Sequence, residues 1–431
     1  MHRRIVEVLL LLFLAAIGVN WPELPYNARL ADLIFIPLAA LVVVLPQRRW
    51  TWQWPDLAVA IYLLGAVPAI AVSADRTHSA MEFAREIYLA IVYVVVAMAA
   101  RHGMSRDVGK GLALGGAILS VAGLAFVIRQ LFGAAPWPPM GEVMPLPYIG
   151  DTLRLRAMTA SEAMLACVLT ASIPFAIALC TANRIRTWCA LTIVMIAAAA
   201  LTFSHAIAGL AVAIVMAAWP LLNGRTPLRR VAVAAAVLVC VVLNFAAMVS
   251  IRSITDGDSN YTDQSLYHYA VDQRQMQIDD VIVTYSVMSY ARIKQVAWRA
   301  FLEHPIAGIG LDQFHTATIR AHDEGALPPL YREIDPHSAL LGRLAECGII
   351  GGVTLLILWG AWAAMARAGG GTYLGYAAAA ALAGLVVSSV NADIMNFRFL
   401  WVLAGLLRGL QDANGMLTTS GRGTSGAAGT R

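Results

Sequence analysis

Between residues 5 and 410 the chain returns twelve times to an apolar run of about the length that crosses a bilayer. The hydrocarbon layer is ~30 Å thick, and a helix needs roughly 17–25 apolar residues to span it. Runs bounded by charge or by Gly/Pro clusters fall at 5–20, 30–45, 57–74, 83–100, 108–131, 157–181, 188–203, 206–222, 231–251, 338–364, 374–390 and 397–410. The pattern predicts an all-α, polytopic membrane protein with about twelve transmembrane helices. Charged residues make up 13% of the chain, against ~25% in a soluble domain, so lipid must cover much of the surface. The five cysteines (Cys167, Cys180, Cys189, Cys240 and Cys347) lie in apolar runs without CxxC or Cys/His spacing. They read as small core residues, with neither a disulfide framework nor a zinc site suggested.

Charge fixes the parity. As one helix, residues 188–222 would be about 52 Å long, and two spans hinged at Ser204-His205 fit better. With twelve spans and the N-terminus inside, 16 of the 31 Lys/Arg fall on the cytoplasmic side with four acids, a net +12, and the other side nets −7. One span fewer would reverse the positive-inside rule downstream. Both termini are therefore expected in the cytoplasm. The Leu-rich start also resembles a cleaved leader, but a second run follows closely and removing the first would upset the parity. The expected organisation is spans one to nine over 1–251, a large external loop over 252–337, three spans over 338–413 and a disordered tail over 414–431. The halves show no related pattern, which counts against a secondary transporter.

Two external segments are too long to be turns. The first, 129–156, is rich in proline and ends in Asp151-Thr-Leu-Arg-Leu-Arg156. The second, 252–337, is large enough for a small domain and should contain helices. One can be placed there. Tyr290, Ile293, Ala297, Ala300 and Phe301 share one face of a 100° wheel, and Arg292, Gln295, Arg299 and Glu303 share the other. The helix is expected to lie along the membrane surface with its polar face toward an aqueous cavity. It should stop at His304-Pro305, and Gly308-Ile-Gly310 should turn sharply.

Several charges sit at the external ends of spans: Arg85, Arg156, Arg343, Asp393 and Arg398. An ion at the centre of a membrane helix costs ~2.5–3.5 kcal/mol, so such residues line a cavity or else snorkel to the surface. The 29 arginines against two lysines suit bidentate binding of phosphate oxygens, although a GC-rich genome would give the same bias. His337, in Asp335-Pro-His-Ser, stands where the long loop turns into a span. An imidazole there can accept a hydroxyl proton near neutral pH; the alternative is a capping or interfacial histidine.

These features combine into a resemblance. The series Arg292, Trp298, His304-Pro-Ile-Ala-Gly-Ile-Gly-Leu and Phe314, followed by His337-Ser, Leu341, Glu346, Gly348 and Gly351, resembles the signature of the O-antigen ligase and polymerase superfamily. Arg154-Leu-Arg156-Ala-Met-Thr and Leu201-Thr-Phe-Ser204 add to it. The chain departs from the pattern in having His205 where an Arg often follows the hinge Ser, and Ala157 where a Gly often follows the Arg motif. The resemblance implies a glycosyltransferase of the bacterial inner membrane, with its active site facing the periplasm. It would move a glycan from an undecaprenyl-diphosphate carrier to an acceptor hydroxyl without metal, nucleotide or other cofactor. In the ligase branch the acceptor is lipid A–core oligosaccharide.

Residue chemistry points the same way, because sugar transfer from a diphosphate needs a base and positive charge on the leaving group. His337 supplies the first. Arg292 is the better arginine of its helix, since Arg299 has Glu303 at i+4 as a partner and Arg292 has Met288, Ser289, Gln295 and Val296 at i±3 and i±4. Arg156 is the next candidate for the diphosphate, followed by Arg154 and Arg85; their alternative is pairing with Asp151, Glu82 or Glu86. Asp393 could orient a base or bind sugar, while Glu346 and Gly348 read as structural. Asp256-Gly-Asp258-Ser-Asn260 resembles a metal loop, but its twelfth position is Tyr267 instead of the Glu of an EF-hand. No metal or nucleic acid partner is expected. A glycan polymerase or a protein oligosaccharyltransferase remains open, and a lipid-linked glycan transporter would keep the spans without needing His337.

Overall fold

The computed structural model describes residues 2–21, 29–45, 50–133, 137, 139–146, 150–183, 186–202, 204, 206–222, 249–255, 273–278, 281–287, 289–327, 334–369 and 372–421. Its helices are α1 (His2–Ala16), α2 (Leu30–Val44), α3 (Trp54–Leu64), α4 (Val67–Val72), α5 (Arg76–Ala99), α6 (Ser105–Leu131), α7 (Glu162–Asn183), α8 (Arg186–Ala200), α9 (Ile207–Leu222), α10 (Ser289–Glu303), α11 (Phe314–Asp323), α12 (Ala339–Gly369), α13 (Tyr373–Ser388) and α14 (Arg398–Gly421). Every apolar run but the ninth coincides with helix. Of the ninth, 231–248 lies outside the described residues and 249–251 begins a strand. Four stretches are long and apolar enough to cross a membrane: Trp54–Val72, Arg76–Leu131, Glu162–Ala182 and Ala339–Gly369. Four shorter apolar helices accompany them. α14 runs on to Gly421, into the segment read as tail.

α7 lies at the centre, packed on α6, α8, α9 and α13, while α14 runs along α5 and α12 along α3. Outward-facing positions carry large apolar side chains such as Ile36, Val44, Leu131 and Ile193, each about two-thirds exposed or more. Water does not cover such rows, and lipid does. Charges buried among the helices are paired. Arg408, fully buried, holds Asp56 at 3.0 Å and Asp412 at 2.6 Å, and the Tyr93 hydroxyl donates to Asp56 at 2.8 Å.

Two small sheets were not expected. In the Pro-rich segment β1 (Gly141–Leu146) pairs antiparallel with β2 (Gly150–Leu155), from Gly141 opposite Leu155 to Leu146 opposite Gly150. In the large loop β3 (Val249–Thr255), β4 (Gln273–Ile278) and β5 (Val281–Val287) form an antiparallel sheet in the order β3-β5-β4. β5 reads Val-Ile-Val-Thr-Tyr-Ser-Val, a β-branched and aromatic run suited to the middle of a sheet. The reading of the cysteines also needs correction. Cys180 and Cys189 form a disulfide with Cα atoms 5.6 Å apart. They stand symmetrically about the short turn between α7 and α8, so the helical hairpin brings together two residues whose spacing resembles no cysteine motif. Cys167 and Cys347 are buried thiols, as expected.

The helix placed at Tyr290–Glu303 is α10. Ile293, Ala297 and Ala300 are buried while Gln295, Arg299 and Glu303 are exposed. Beyond it the chain enters a backbone-to-backbone joint with α12. That helix is interrupted at Gly348 (φ 61°, ψ −160°), a conformation accessible essentially to glycine. The interruption is closed from outside. Ile309 and Gly310 N–H donate to the Ala345 and Glu346 carbonyls, both at 3.0 Å, and Ile349 N–H donates to the Pro305 carbonyl at 2.8 Å. A Cβ at Gly308 (φ 72°) would overlap the Glu346 backbone, and one at Gly348 the Ile306 backbone.

Gly308→Ala and Gly348→Ala should each lower stability by about 2–4 kcal/mol, through left-handed strain together with backbone overlap. Gly360→Ala, whose added Cβ meets nothing, should be neutral or slightly stabilising. Thermal melts of the purified variants check this; equal melting temperatures for Gly348→Ala and Gly360→Ala would sink the account.

Candidate active site

His337 has φ 47°, a left-handed turn made without glycine, of the kind that costs about 1–3 kcal/mol and persists where the surroundings impose it. They do so here. Ala339 N–H donates to the Ser389 carbonyl at 3.0 Å, tying the head of α12 to the end of α13. Ser338 is buried, its carbonyl accepting from Gly342 N–H at 2.8 Å, and Pro336 lies against Gly342. The imidazole thus sits on a fixed, half-buried corner.

Beside this corner is a cleft of 480 Å³ lined by Tyr62, Glu82, Glu86, Asp312, Asp335, Arg343, Glu346 and Asp393 among others. Arg343 is committed. Its guanidinium donates to Glu86 at 2.5 and 3.3 Å and stacks 4.3 Å from the Tyr62 ring centroid. Glu346 Oε1 accepts from Phe314 N–H at the start of α11 (3.4 Å), which agrees with a structural role. Asp393 accepts from Met395 N–H at 3.1 Å. Burial pushes its carboxyl up to about 6, against that hydrogen bond, which favours the ionised form.

Lys294 was missed by the sequence reading. Its ammonium donates to the Asn391 side chain at 2.5 Å, bringing α10 to the loop that carries Asp393, and burial lowers it below the usual lysine range. The available signal was its rarity, as one of two lysines in the chain.

The arginines are distributed over two places. Arg292 lines a groove of 620 Å³ between α10 and α11 with Gln295, Arg299, Glu303, Arg320 and Glu324. No residue lines both this groove and the cleft. Arg299 pairs with Glu303 at 2.9 Å as its spacing predicted, and with Glu324 at 2.6 Å. Near α5 and α7 the other candidates also have carboxylates: Arg85 pairs with Glu82, while Arg154 and Arg156 share Glu162 at 2.5 and 3.5 Å, where Asp151 had been expected.

The structure joins the motifs of the resemblance in pairs. Leu155 N–H donates to the Leu201 carbonyl at 3.0 Å and Arg154 Nε to the Thr202 carbonyl at 3.5 Å, so the Arg motif meets the hinge. The His304-to-Gly310 block meets the Glu346-to-Gly348 block through the joint described above. His205 and the Asp256–Asn260 motif lie outside the described residues. Among the described residues no group of three His, Cys, Asp or Glu is arranged to hold a metal ion.

The family model described as O-antigen ligase matches residues 190–356. This stretch belongs to the O-antigen ligase superfamily. It contains the hinge, Arg292, Arg299, the Gly308-Gly348 joint and His337, and it leaves Arg85, Arg154, Arg156 and Asp393 outside. No curated protein matches the chain. The family consists of membrane glycosyltransferase-like ligases and polymerases, consistent with the apolar helices.

The elevated Asp393 carboxyl gives a pH test with a definite sign. A folded-state value near 6 lies above the ordinary 3.8, so the folded protein binds this proton more tightly than the unfolded one. Its contribution is present below about pH 4 and is lost as pH rises through about 6. Asp393→Asn should therefore melt at or above the parent temperature at pH 7.5, with the difference shrinking by pH 5. A variant markedly less stable at pH 7.5 would refute the assignment.

Proposed function

We propose that this protein is an O-antigen ligase that transfers O-antigen polysaccharide from undecaprenyl diphosphate to lipid A–core oligosaccharide at the periplasmic face of the inner membrane. The reading is supported chiefly by one observation: the two most specific motif blocks of the matched segment interlock at Gly308 and Gly348, and His337 sits at the head of the helix they jointly shape.

In the reaction His337 takes the proton of the acceptor hydroxyl. The acceptor oxygen forms a bond to the anomeric carbon, the bond from that carbon to the diphosphate oxygen breaks, and its electron pair leaves with the lipid diphosphate. Arg292 and Arg156 meet the charge that develops there, with Arg154 and Arg85 in support. Asp393 is placed to orient the base or to hold a sugar hydroxyl. The chemistry asks for no metal and no nucleotide, because the donor is already activated by its diphosphate.

In a transfer assay with undecaprenyl-diphosphate-linked O-antigen, rough lipopolysaccharide and EDTA, the parent protein should build a ladder on lipid A–core. His337→Ala should lose ~10²–10⁴-fold in rate while folding normally, and Arg292→Lys should be severely impaired because a fork becomes a point charge. Lengthening of the donor glycan with bare lipid A–core would make the protein a polymerase. Substantial transfer by well-folded His337→Ala would remove the base assignment.

A further inference from the structure

Asp32, near the start of α2, is saturated. It accepts from Arg398 at 2.6 and 2.5 Å, from the Tyr88 hydroxyl at 2.5 Å and from Arg29 backbone N–H at 2.8 Å. The Arg29 guanidinium is left with the Met164 thioether at 3.7 Å, and its buried Nε has no hydrogen-bond partner among the described residues. A thioether is a weak acceptor for a guanidinium. Met164 stands two residues beyond Glu162, which holds Arg154 and Arg156, so Arg29 bridges two arginine groups. Across Arg29, Arg85, Arg154, Arg156 and Arg398 the carboxylates in these ion pairs are Asp32, Glu82 and Glu162. Five cations face three anions.

Such an excess is costly in a half-buried place. Burial, together with the charges of Arg398 and Arg85, lowers Arg29 to about 10, against the pull of Asp32. It therefore remains charged at neutral pH, beside cations that repel it. A protein that keeps a cation under those conditions is preorganised for an anion that arrives with the ligand.

We infer that Arg29 is a further phosphate-binding residue, which with Arg398 receives the phosphate or diphosphate group of a membrane lipid at the external ends of α2, α7 and α14. The inference rests on the proposed transferase reading, in which two lipids could bring that group: the polyprenyl diphosphate donor and the phosphorylated lipid A–core acceptor. A guanidinium fork suits either, since each offers paired phosphate oxygens.

The test measures binding of undecaprenyl diphosphate, of lipid A and of inorganic pyrophosphate to the full chain in neutral-lipid nanodiscs. Arg29→Gln and Arg29→Lys are compared with the parent, with Arg367→Gln, at the far end of α12, as the control. At least tenfold weaker binding of one of these ligands by Arg29→Gln is expected, with a smaller loss for Arg29→Lys and none for Arg367→Gln. The melting temperature of Arg29→Gln should be unchanged or higher, because a repelled, desolvated cation has gone. The lipid affected identifies the source of the phosphate. Binding within twofold of the parent for all three ligands overturns the inference, as does a fall in melting temperature large enough to account for the lost binding. Should the parent fail to bind undecaprenyl diphosphate yet bind pyrophosphate or lipid A through Arg29, the inference stands and the donor assignment falls; if the parent binds none of the three, the inference falls.

Discussion

The joint between the Pro305-to-Gly310 segment and the interrupted α12 is the constraint on which the external face depends. A helix broken within its length exposes backbone groups that cannot be left unpaired, least of all in or near hydrocarbon. Here the incoming loop supplies donors to the Ala345 and Glu346 carbonyls and an acceptor for Ile349 N–H. Contact this close requires that neither chain carry a Cβ at the crossing, which accounts for Gly308 and Gly348 together. The same loop continues to Asp312, which His78 holds at 2.8 Å, and its Leu311 carbonyl accepts from the Ser79 hydroxyl at 2.6 Å. The loop is therefore clamped between α5 and α12. One short segment sets both where α10 and α11 sit and how α12 presents His337.

Ion pairs divide the molecule into structural and available charge. Arg408 and Arg343 are buried and held by carboxylates in good geometry; removing either partner would strand a charge in a medium that cannot solvate it. They read as fixtures of the fold. The external arginines differ because their carboxylates are shared: Glu162 serves both Arg154 and Arg156, and Asp32 serves Arg398 while also capping α2. Shared counter-ions leave net positive potential that a diphosphate can complete, whereas one-to-one pairs do not. By contrast, the cleft beside His337 is lined mainly by carboxylates, an environment for sugar hydroxyls and for steadying an imidazolium. The separation suits a reaction with a neutral acceptor hydroxyl at one end and an anionic leaving group at the other.

What the sequence revealed follows from the range of the forces involved. Apolar runs, the amphipathic face of α10, its stop at His304-Pro305 and the Arg299–Glu303 pair are all local, and each was legible. The β3-β5-β4 sheet was not, because its partners are separated by a long connection and nothing in β3 alone announces β5. The Cys180–Cys189 disulfide escaped for a similar reason: its geometry belongs to the α7–α8 hairpin and not to a spacing rule. The arginine partners were half legible. Arg85 meets Glu82 one turn away, but Glu162 reaches Arg154 and Arg156 only because the chain between them folds back. Arg29 drew no attention in the sequence, because its character comes from Arg398 and Asp32, far away along the chain.

The turn after Arg156 shows how the fold carries strain without glycine. Ala157 and Met158 have φ of 48° and 63° in succession, at the place where the family resemblance often has a glycine. Three donors hold the turn: Arg156 and Ala157 N–H share the Met140 carbonyl at 2.8 and 2.9 Å, and Met158 N–H donates to Pro139 at 2.6 Å. On the other side Asn20 N–H donates to the Met158 carbonyl at 2.8 Å, linking the end of the first apolar run to the entrance of α7. A left-handed pair of L-residues is unfavourable by about 1–3 kcal/mol each, so these contacts must offset it. The result is a rigid corner that fixes Arg154 and Arg156 relative to α7, and hence relative to Met164 and Arg29. His337 stands on the same kind of corner at the head of α12. In both places backbone strain marks where a functional side chain is held by its surroundings rather than by its own preference.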